Sequence, residues 1–427
     1  MKTKQKIVNA YKATAQGFVP KLRFPEFQDT GAWINCTLGD VSTITSGGTP
    51  NRSKKAFWNG TIPWVTTSLI DFNIIQNVNE FITEVGLKES SAKIFPQNTI
   101  LMAMYGQGIT RGKVAVLGVE AATNQACAAI LLKKELNTKF VFQDLSNRYD
   151  EIRDLSNEGG QKNLSGGLIG KISFSYPDSD CEQKKIADCL SSIDKLITVQ
   201  AQKLDILKAH KKGLMQQLFP AEGETVPKLR FPEFRDAGAW EARKLKEITV
   251  INQGLQISIS KRFTKKVENS YFYITNEFLK DNSNKAYYIK NPSESVICDE
   301  NDILMTRTGN TGQVVTDVRG AFHNNFFKIK YTNEIDKGFL VYFLRSENTQ
   351  RTILKLAGSS TIPDLNHSDF YRIEIKLPSL TEQQKIADCL SSIDDLITAH
   401  SQKLDTLKTH KKGLMQQLFP SFDEVTG

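Results

Sequence analysis

Apolar residues recur at heptad spacing in two long stretches of the chain, residues 186–218 and 386–418. Alternating steps of three and four residues are typical of helices that pair along an apolar seam. Pro220 and Pro420 end the two stretches, because proline breaks a helix. We therefore predict two long coiled-coil helices. The predicted seam consists of Ile186, Leu190, Ile193, Ile197, Leu204, Leu207, Leu214, Leu218, Ile386, Leu390, Ile393, Ile397, Leu404, Leu407, Leu414 and Leu418, with Gln200, Lys211, His400 and Lys411 at its polar positions.

The two stretches are copies of one sequence. Residues 182–220 and 382–420 differ at seven of 39 positions, and both contain HKKGLMQQLFP. A second repeat, VPKLRFPEF, begins at Val19 and at Val226, and GAW follows each copy. The chain therefore consists of two tandem units with dissimilar middles of about 150 residues. An ordinary amphipathic surface helix is the alternative for each stretch, but two matching copies favour a pair.

The two predicted helices should pair antiparallel. A helix over residues 186–218 would be roughly 50 Å long, whereas the connector 221–227 spans at most about 25 Å. The second unit must then begin at the far end of the first helix, and the second helix must run back along the first. This predicts an antiparallel coiled coil with pseudo-twofold symmetry, in which Gln200 lies opposite Leu404 and Leu204 opposite His400.

The middles of the two units contain short β-rich runs. ILMAMY, KVAVLGV and QVVTDV are separated by glycine and asparagine turns, a pattern that predicts mixed sheets with exposed loops. The predicted fold class is α+β, with two globular mixed α/β domains joined by the two long helices. The expected boundaries are an N-terminal segment 1–18, a first domain 19–178, a helix 179–220, a second domain 221–378, a helix 379–420 and a tail 421–427.

Composition and charge narrow the class of protein. Of 427 residues 24% are charged, and the net charge of +8 fits a nucleic-acid partner, although many soluble proteins share such an excess. The six cysteines form no CxxC pair, so no structural metal site is expected and the thiols should be reduced. The sequence shows neither a secretory signal nor an apolar run of membrane length, which predicts a cytoplasmic protein without a membrane partner.

The glycine-rich loops of the middles carry residue types that contact base edges and phosphates. The alternative is that each loop is simply a turn, since turns share this composition. The candidates for DNA binding in the first unit are Asn51, Arg52, Lys54, Lys55, Thr66, Thr67, Ser68, Gln107, Thr110, Arg111, Lys113, Gln161, Lys162 and Asn163. Those in the second unit are Lys261, Arg262, Lys265, Lys266, Thr275, Asn276, Arg307, Asn310, Asn324, Asn325, Ser359, Ser360 and Thr361.

Several segments of this chain resemble the specificity (S) subunit of Type I restriction-modification systems. They are LRFPEF, FWNGTIPWV, MYGQGITRGKVAVLG with TNQACAAI, the repeated helix and, less specifically, NDILMTRTGNTG with GSSTIPDLN. The resemblance implies that each domain is a target recognition domain that reads half of a split site in double-stranded DNA. It also implies that the paired helices set the spacing and dock two methyltransferase (M) subunits, and that restriction (R) subunits join the complex. S-adenosylmethionine would bind to M, and ATP with Mg to R.

The sequence agrees with a non-catalytic subunit. It contains neither an adenine-methyltransferase motif of the form [ND]PP[FY] nor a GxxxxGK[ST] phosphate loop. Asp364, Glu374 and Lys376 match a PD…ExK nuclease pattern, which would hold a metal ion that activates water. The corresponding text of the first unit, ISFSYP, has no acid, which favours a plain strand. A two-headed scaffold without DNA specificity and a self-contained metal-dependent nuclease remain alternatives at this point.

Overall fold

The chain forms two compact units. The computed structural model describes residues 18–106, 109–155, 163–280, 285–358 and 362–420. The first unit comprises Met1–Gln200 with Lys403–Gly427, and the second comprises Ala201–Gln402. The predicted N-terminal segment, apart from Phe18, and the predicted tail therefore lie outside the described residues. Each unit contains one mixed α/β domain and a part of each long helix, in agreement with the predicted fold class.

The domain of the first unit consists of eleven strands and five short helices within its described residues. The strands are β1 Ile34–Thr37, β2 Ser42–Ser46, β3 Trp58–Val65, β4 Ile74–Ile75, β5 Glu80–Ile82, β6 Ile94–Phe95, β7 Ile100–Ala103, β8 Val114–Leu117, β9 Ala121–Thr123, β10 Cys127–Leu132 and β11 Ser173–Tyr176. The helices are α1 Leu38–Val41, α2 Glu84–Lys88, α3 Thr138–Asn147, α4 Tyr149–Asp154 and α5 Gly166–Gly170, and the long helix α6 Asp180–Leu218 follows. One-turn 3-10 helices lie at Pro25–Phe27, Lys55–Phe57 and Thr67–Leu69.

The domain of the second unit repeats most of this order, without counterparts of β4 and α2 among its described residues. Its strands are β12 Glu241–Lys244, β13 Thr249–Gln253, β14 Ser270–Ile274, β15 Tyr288–Lys290, β16 Ile297–Cys298, β17 Ile303–Thr306, β18 Val314–Val315, β19 Gly320–Phe322, β20 Phe326–Tyr331 and β21 Glu374–Leu377. Its helices are α7 Leu245–Ile248, α8 Lys337–Arg345, α9 Glu347–Leu356 and α10 His367–Arg372, and the long helix α11 Leu380–Leu418 ends the described chain. One-turn 3-10 helices lie at Pro232–Phe234, Ile259–Lys261, Asn276–Leu279 and Glu294–Val296.

The sheets of the two units are also alike. The first unit has sheets of order β2-β10-β7-β8-β4 and β5-β3-β9-β6, and the second has β13-β20-β17-β18 and β15-β14-β19-β16. In each unit a further antiparallel pair, β1 with β11 and β12 with β21, joins the beginning of the domain to its end. The predicted strands in ILMAMY, KVAVLGV and QVVTDV are therefore confirmed as β7, β8 and β18.

The predicted seam is the buried side of both long helices. All sixteen apolar seam residues are buried or half-buried. In the first unit Lys411 Nζ donates to Asp194 Oδ1 over 2.6 Å, and in the second Lys211 Nζ contacts Asp394 Oδ1 at the same distance. In each unit the beginning of one helix thus lies beside the end of the other, which confirms the antiparallel pairing there. The central register about Gln200 stays a prediction.

In each unit, the domain also contacts the aspartate of the ion pair between the two helices. Gln143 on α3 donates to Asp194 Oδ2 over 2.7 Å, and Tyr342 on α8 donates to Asp394 Oδ2 over the same distance. Burial, together with the Asp394 carboxylate, raises the pKa of Tyr342, so its hydroxyl remains a donor at neutral pH. One aspartate therefore connects the domain, α6 and α11 within each unit.

The repeated LRFPEF and EQ segments form a frame beneath each domain. Arg23 makes two hydrogen bonds with the Glu182 carboxylate, of 2.7 and 2.8 Å, and also donates to the carbonyl of Thr30. In the second unit Arg230 and Glu382 make the same contact, with two bonds of 2.7 Å. Since both carboxylates are nearly inaccessible, these are buried charge pairs that need their partners.

The two copies of HKKGLMQQLFP complete these frames. In the first unit Phe419, just after α11, packs against Trp33 and Phe140 with ring centroids 6.4 and 5.3 Å apart. In the second unit Phe219, just after α6, packs against Phe339 at 5.1 Å. The repeated helix end thus fills the same place in the hydrophobic core of each unit, which accounts for its near-identical sequence.

None of the helices in the described part of the chain combines the length and the apolar content needed to cross a membrane.

Candidate nucleic-acid interface

Five loops come together in each domain where the two larger sheets adjoin. We name these sets loop cluster 1 and loop cluster 2. In loop cluster 1 the connecting backbone hydrogen bonds run from Gly48 N to Thr123 O, Asn124 N to Val65 O, Met104 N to Ala126 O and Leu164 N to Met104 O. In loop cluster 2 they run from Leu255 N to Phe322 O, His323 N to Ile274 O, Arg307 N to Asn325 O and Leu365 N to Arg307 O. These matching bonds establish which positions of the two units are equivalent.

Loop cluster 1 contains several of the predicted residues. Thr66, Thr67 and Ser68 follow β3, where Thr66 Oγ1 and Ser68 Oγ share a hydrogen bond of 2.6 Å. Ser68 is exposed, and Thr66 and Thr67 are half-buried. Asn163 is half-buried and directly precedes Leu164 of the cluster. These short polar side chains are therefore at least partly accessible to solvent.

Arg52 is held over two indole rings. Its guanidinium carbon lies 3.9 Å from the centroid of Trp58 and 4.8 Å from that of Trp64, and Glu80 accepts a hydrogen bond from it. Trp64 Nε1 in turn donates to Gly48 O over 3.0 Å, so this group is attached to loop cluster 1. The cation–π contacts orient the guanidinium while more than half of the side chain stays exposed.

The other cations of the first unit differ in accessibility. Lys54 is exposed and lies 3.6 Å from Glu89 Oε2, whereas Lys55 is exposed with no ion pair among the described residues. Lys113 is mostly buried, and its Nζ donates to Asp71 over 2.6 Å. Among these three lysines, Lys55 therefore has the most accessible uncompensated charge.

Arg111 lies in the loop between β7 and β8, which contributes Met104 to loop cluster 1. Its guanidinium donates to the carbonyl of Arg153 over 2.6 Å, which holds the turn against α4. The neighbouring Thr110 is half-buried. The remaining predicted residues of this unit, Gln107, Gln161 and Lys162, lie outside the described residues.

Loop cluster 2 brings together the predicted residues Thr275, Asn276, Arg307, Asn324 and Asn325. Asn276 Nδ2 donates to Thr308 O over 3.0 Å, and Thr275 is buried. Arg307 makes two hydrogen bonds with the Asp364 carboxylate, of 3.0 and 2.6 Å. These contacts fix the shape of the cluster.

Arg262 occupies a position like that of Arg52. Its guanidinium lies 5.2 Å from the centroid of Tyr273, the equivalent of Trp64, but it donates twice to the carbonyl of Ile257. Burial, aided by Arg262, lowers the pKa of His323 beside it, so this imidazole is neutral at pH 7. The second unit thus uses its stacked arginine to hold a loop.

Four predicted residues of the second unit are exposed: Lys261, Lys265, Lys266 and Asn310. The three lysines lie in one connection between β13 and β14, and none of them forms an ion pair within the described residues. Ser359, Ser360 and Thr361 lie outside the described residues.

A pair of polar side chains occurs in both clusters, and of its four residues the sequence predicted only Asn324 and missed Thr49, Gln125 and Gln256. Thr49 Oγ1 donates to Gln125 Oε1 in loop cluster 1, and Asn324 Nδ2 donates to Gln256 Oε1 over 3.4 Å in loop cluster 2. Gln125 is equivalent to Asn324, and Thr49 to Gln256. Both glutamines are exposed, and a glutamine amide can make two hydrogen bonds to adenine. A lone glutamine beside a turn gives no sequence signal.

The residues of the PD…ExK pattern have structural partners. Asp364 binds Arg307, as described above, and the Glu374 carboxylate accepts a hydrogen bond of 2.5 Å from Lys376 within β21. Glu374 lies on the strand that was expected from the comparison with ISFSYP. Among the described residues no group of three or more His, Cys, Asp or Glu side chains is arranged to hold a metal ion.

Comparison with known proteins identifies the family. The family model "Type I restriction modification DNA specificity domain" matches residues 31–209 and 238–409. The Type I restriction enzyme MjaIX specificity subunit of Methanocaldococcus jannaschii is 22% identical, over 94% of this chain and 97% of the relative. The MjaVIII specificity subunit of the same organism is 25% identical, over 93% of each chain.

A solved structure supports the same assignment at the level of the fold. The Type I restriction-modification S subunit from M. genitalium aligns with a TM-score of 0.61 and 16% identity, over 95% of this chain and all of that one. Since the family model covers most of the chain in two copies, this protein belongs to the Type I restriction-modification DNA specificity family. Neither the scaffold nor the self-contained nuclease is supported by these comparisons.

Proposed function

We propose that each unit of this specificity subunit reads one half of a bipartite DNA site through its loop cluster. One observation carries the proposal: the two clusters share a backbone arrangement but present different polar side chains at equivalent positions, Thr49 with Gln125 and Gln256 with Asn324. Equal frames with unequal hydrogen-bonding groups are what two different half-sites require, because base edges are distinguished by donors and acceptors. The exposed lysines would bind phosphates and position the duplex.

We propose in addition that the helix pair spaces the two half-sites and docks two methyltransferase subunits, and that restriction subunits join through them. S-adenosylmethionine would then bind to the methyltransferase subunits, and ATP with Mg to the restriction subunits. The experiment that tests the proposal is mapping of N6-methyladenine in DNA from cells that carry this gene with its methyltransferase partner. A bipartite motif is expected; a continuous motif, or no motif, would contradict the proposal.

Gln125→Ala should relax specificity at one base pair of one half-site by about 1–3 kcal/mol. The lost amide discriminates between bases, whereas a phosphate contact does not. The matched variant Lys265→Gln with Lys266→Gln should instead weaken binding to all duplexes alike and reduce the salt dependence of binding. Titration of the S–M complex against duplexes that differ at single positions measures both. Uniform weakening by Gln125→Ala would show that this side chain only supports the loop.

The purified chain alone should transfer no methyl group to DNA and should cut none. Its sequence lacks the methyltransferase and phosphate-loop motifs, and its PD…ExK residues are held in internal contacts. Labelled S-adenosylmethionine with duplex DNA should give background counts until a methyltransferase subunit is added. Incorporation by the chain alone would overturn its non-catalytic role.

Lengthening both helices by one heptad should lengthen the preferred spacer. Insertions between Leu204 and Leu207 and between Leu404 and Leu407 preserve the seam and add about 10 Å. This corresponds to at most roughly three base pairs. The duplex also rotates over that distance, so weaker binding is expected. In a library of sites that differ only in spacer length, the preferred spacer should become longer by one to about three base pairs, while the half-site sequences stay unchanged. An unchanged optimum would mean that the helices only dock partners.

A further inference from the structure

The second unit contains a groove that is lined by none of the candidate DNA-binding residues. It is lined by the end of α6, the following segment 220–228, helix α9 and the strand β21. We name it the α9 groove. Its volume is about 1260 Å³, which exceeds the range of roughly 300–1,000 Å³ that is typical of sites for small molecules. A groove of this size suits a segment of polypeptide.

The α9 groove is strongly basic. Among the described residues, nine lysine and arginine side chains line it, against three glutamates. Glu347 is bound by Arg351 and lies 3.6 Å from Lys212, so its charge is already compensated. Lys208 and Lys355 are exposed and form no ion pair within the described residues. The uncompensated cations attract an acidic occupant.

Apolar surface is also available in the groove. Met215, Phe343 and Leu356 line it, and each is only partly buried against the core of the unit. The phosphodiester backbone of a nucleic acid has no apolar side chains to cover this surface. An acidic peptide that also carries leucine or phenylalanine matches both the cations and the apolar floor.

The first unit does not carry the same charges. A Cβ atom at Gly112 would lie 3.5 Å from Cγ2 of Ile152 on α4, and a Cβ atom at Gly312 would lie 3.1 Å from Cγ2 of Ile353 on α9. The two isoleucines are therefore equivalent. By the same alignment Asp150 and Asp154 stand where the second unit has Arg351 and Lys355. Both aspartates are exposed. The cations of α9 are therefore a property of the second unit, and an acidic occupant would meet two aspartates at the equivalent place.

We propose that the α9 groove binds an acidic peptide segment with apolar side chains, contributed by a partner protein. The cations recruit the segment, and its leucine or phenylalanine side chains cover Met215, Phe343 and Leu356. Because the charges are present in only one unit, the stoichiometry is one segment per specificity subunit. A partner that docks twice, once on each unit, uses other surfaces.

The test uses the full chain and an array of labelled peptides of about 12 residues in which glutamate alternates with leucine or phenylalanine. The groove variant is Lys208→Glu with Lys355→Glu. The matched control is Lys403→Glu with Lys408→Glu, which reverses two exposed charges of α11 in the first unit, one of them at the position equivalent to Lys208. Circular dichroism verifies that all proteins are folded.

The groove variant should bind the best peptides at least about tenfold more weakly than the unaltered chain, a difference of about 1.4 kcal/mol. The control variant should stay within about twofold. If the groove variant and the control variant lost equal peptide affinity, the change in net charge would explain the loss, and the proposal would be overturned. The proposal would also be overturned if no peptide of the array bound more tightly to the unaltered chain than to the groove variant. A single-stranded oligonucleotide that displaces the bound peptides and is itself lost in the groove variant would assign the groove to nucleic acid instead.

Discussion

Replacing Glu182 by glutamine should lower the free energy of unfolding of the first unit by about 3–5 kcal/mol. The substitution removes the charge that compensates Arg23, whose side chain is 8% exposed, while the volume of the site stays the same. An uncompensated guanidinium would then remain buried beneath the domain. Equilibrium denaturation followed by tryptophan fluorescence is a suitable measurement, because three of the four tryptophans, Trp33, Trp58 and Trp64, belong to this unit.

The same frame supplies the matched control for this experiment. Glu26 in LRFPEF lies 3.0 Å from Lys185, but these side chains are 46% and 52% exposed. Glu26→Gln should therefore cost less than about 1 kcal/mol, as is usual for an ion pair at the surface. If Glu182→Gln cost no more than Glu26→Gln, the frame would depend on packing and not on its buried charge.

Exchanging residues 34–175 for the equivalent domain of a relative should change one half of the methylated site and leave the other half intact. The two ends of this segment lie side by side, since Asn35 pairs with Ser175 in the register of β1 with β11. The exchange thus leaves Arg23, Glu182 and the helix seam in place. Each mismatched base pair typically costs about 1–3 kcal/mol, so several changed positions should abolish methylation of the old half-site.

The reciprocal exchange controls for effects on assembly. Residues 241–376 have adjacent ends of the same kind, with Ala242 paired to Lys376. Replacing them should change only the other half of the motif. Mapping of N6-methyladenine reads both results. A change in both halves after either exchange would refute the assignment of one half-site to each unit.

The repeated helices could be predicted because the sequence pattern that determines them lies within each helix. A heptad pattern over more than thirty residues, present in two copies, fixes the seam, and a proline marks each end. The strand β21 was also predictable, by comparison with its counterpart β11. Helices α3 and α8 were not assigned, because each is at most ten residues long and an apolar run as short as FLVYFL does not distinguish a helix from a buried strand.

The candidate interface was predictable only in part, because its geometry depends on contacts between distant residues. The Gly-rich polar loops singled out in the sequence include several that the structure brings together in the two loop clusters. Composition could not show that Arg307 is bound to Asp364, or that Arg111 is bound to the carbonyl of Arg153. It also gave no sign that Thr49 and Gln125, 76 positions apart, form a pair. Such pairings are set by the tertiary fold.

The place of Phe419 in the core of the first unit delays the completion of that core during synthesis. Trp33 and Phe140 are synthesised early, whereas Phe419, which packs on them, is made 279 positions after Phe140. At about 5–20 residues per second, the interval between Phe140 and Phe419 is on the order of 15–55 s. During this time the chain already contains Phe219 within an identical GLMQQLFP, which can occupy the vacant position. Folding must therefore place each copy of this helix end in the core of its own unit.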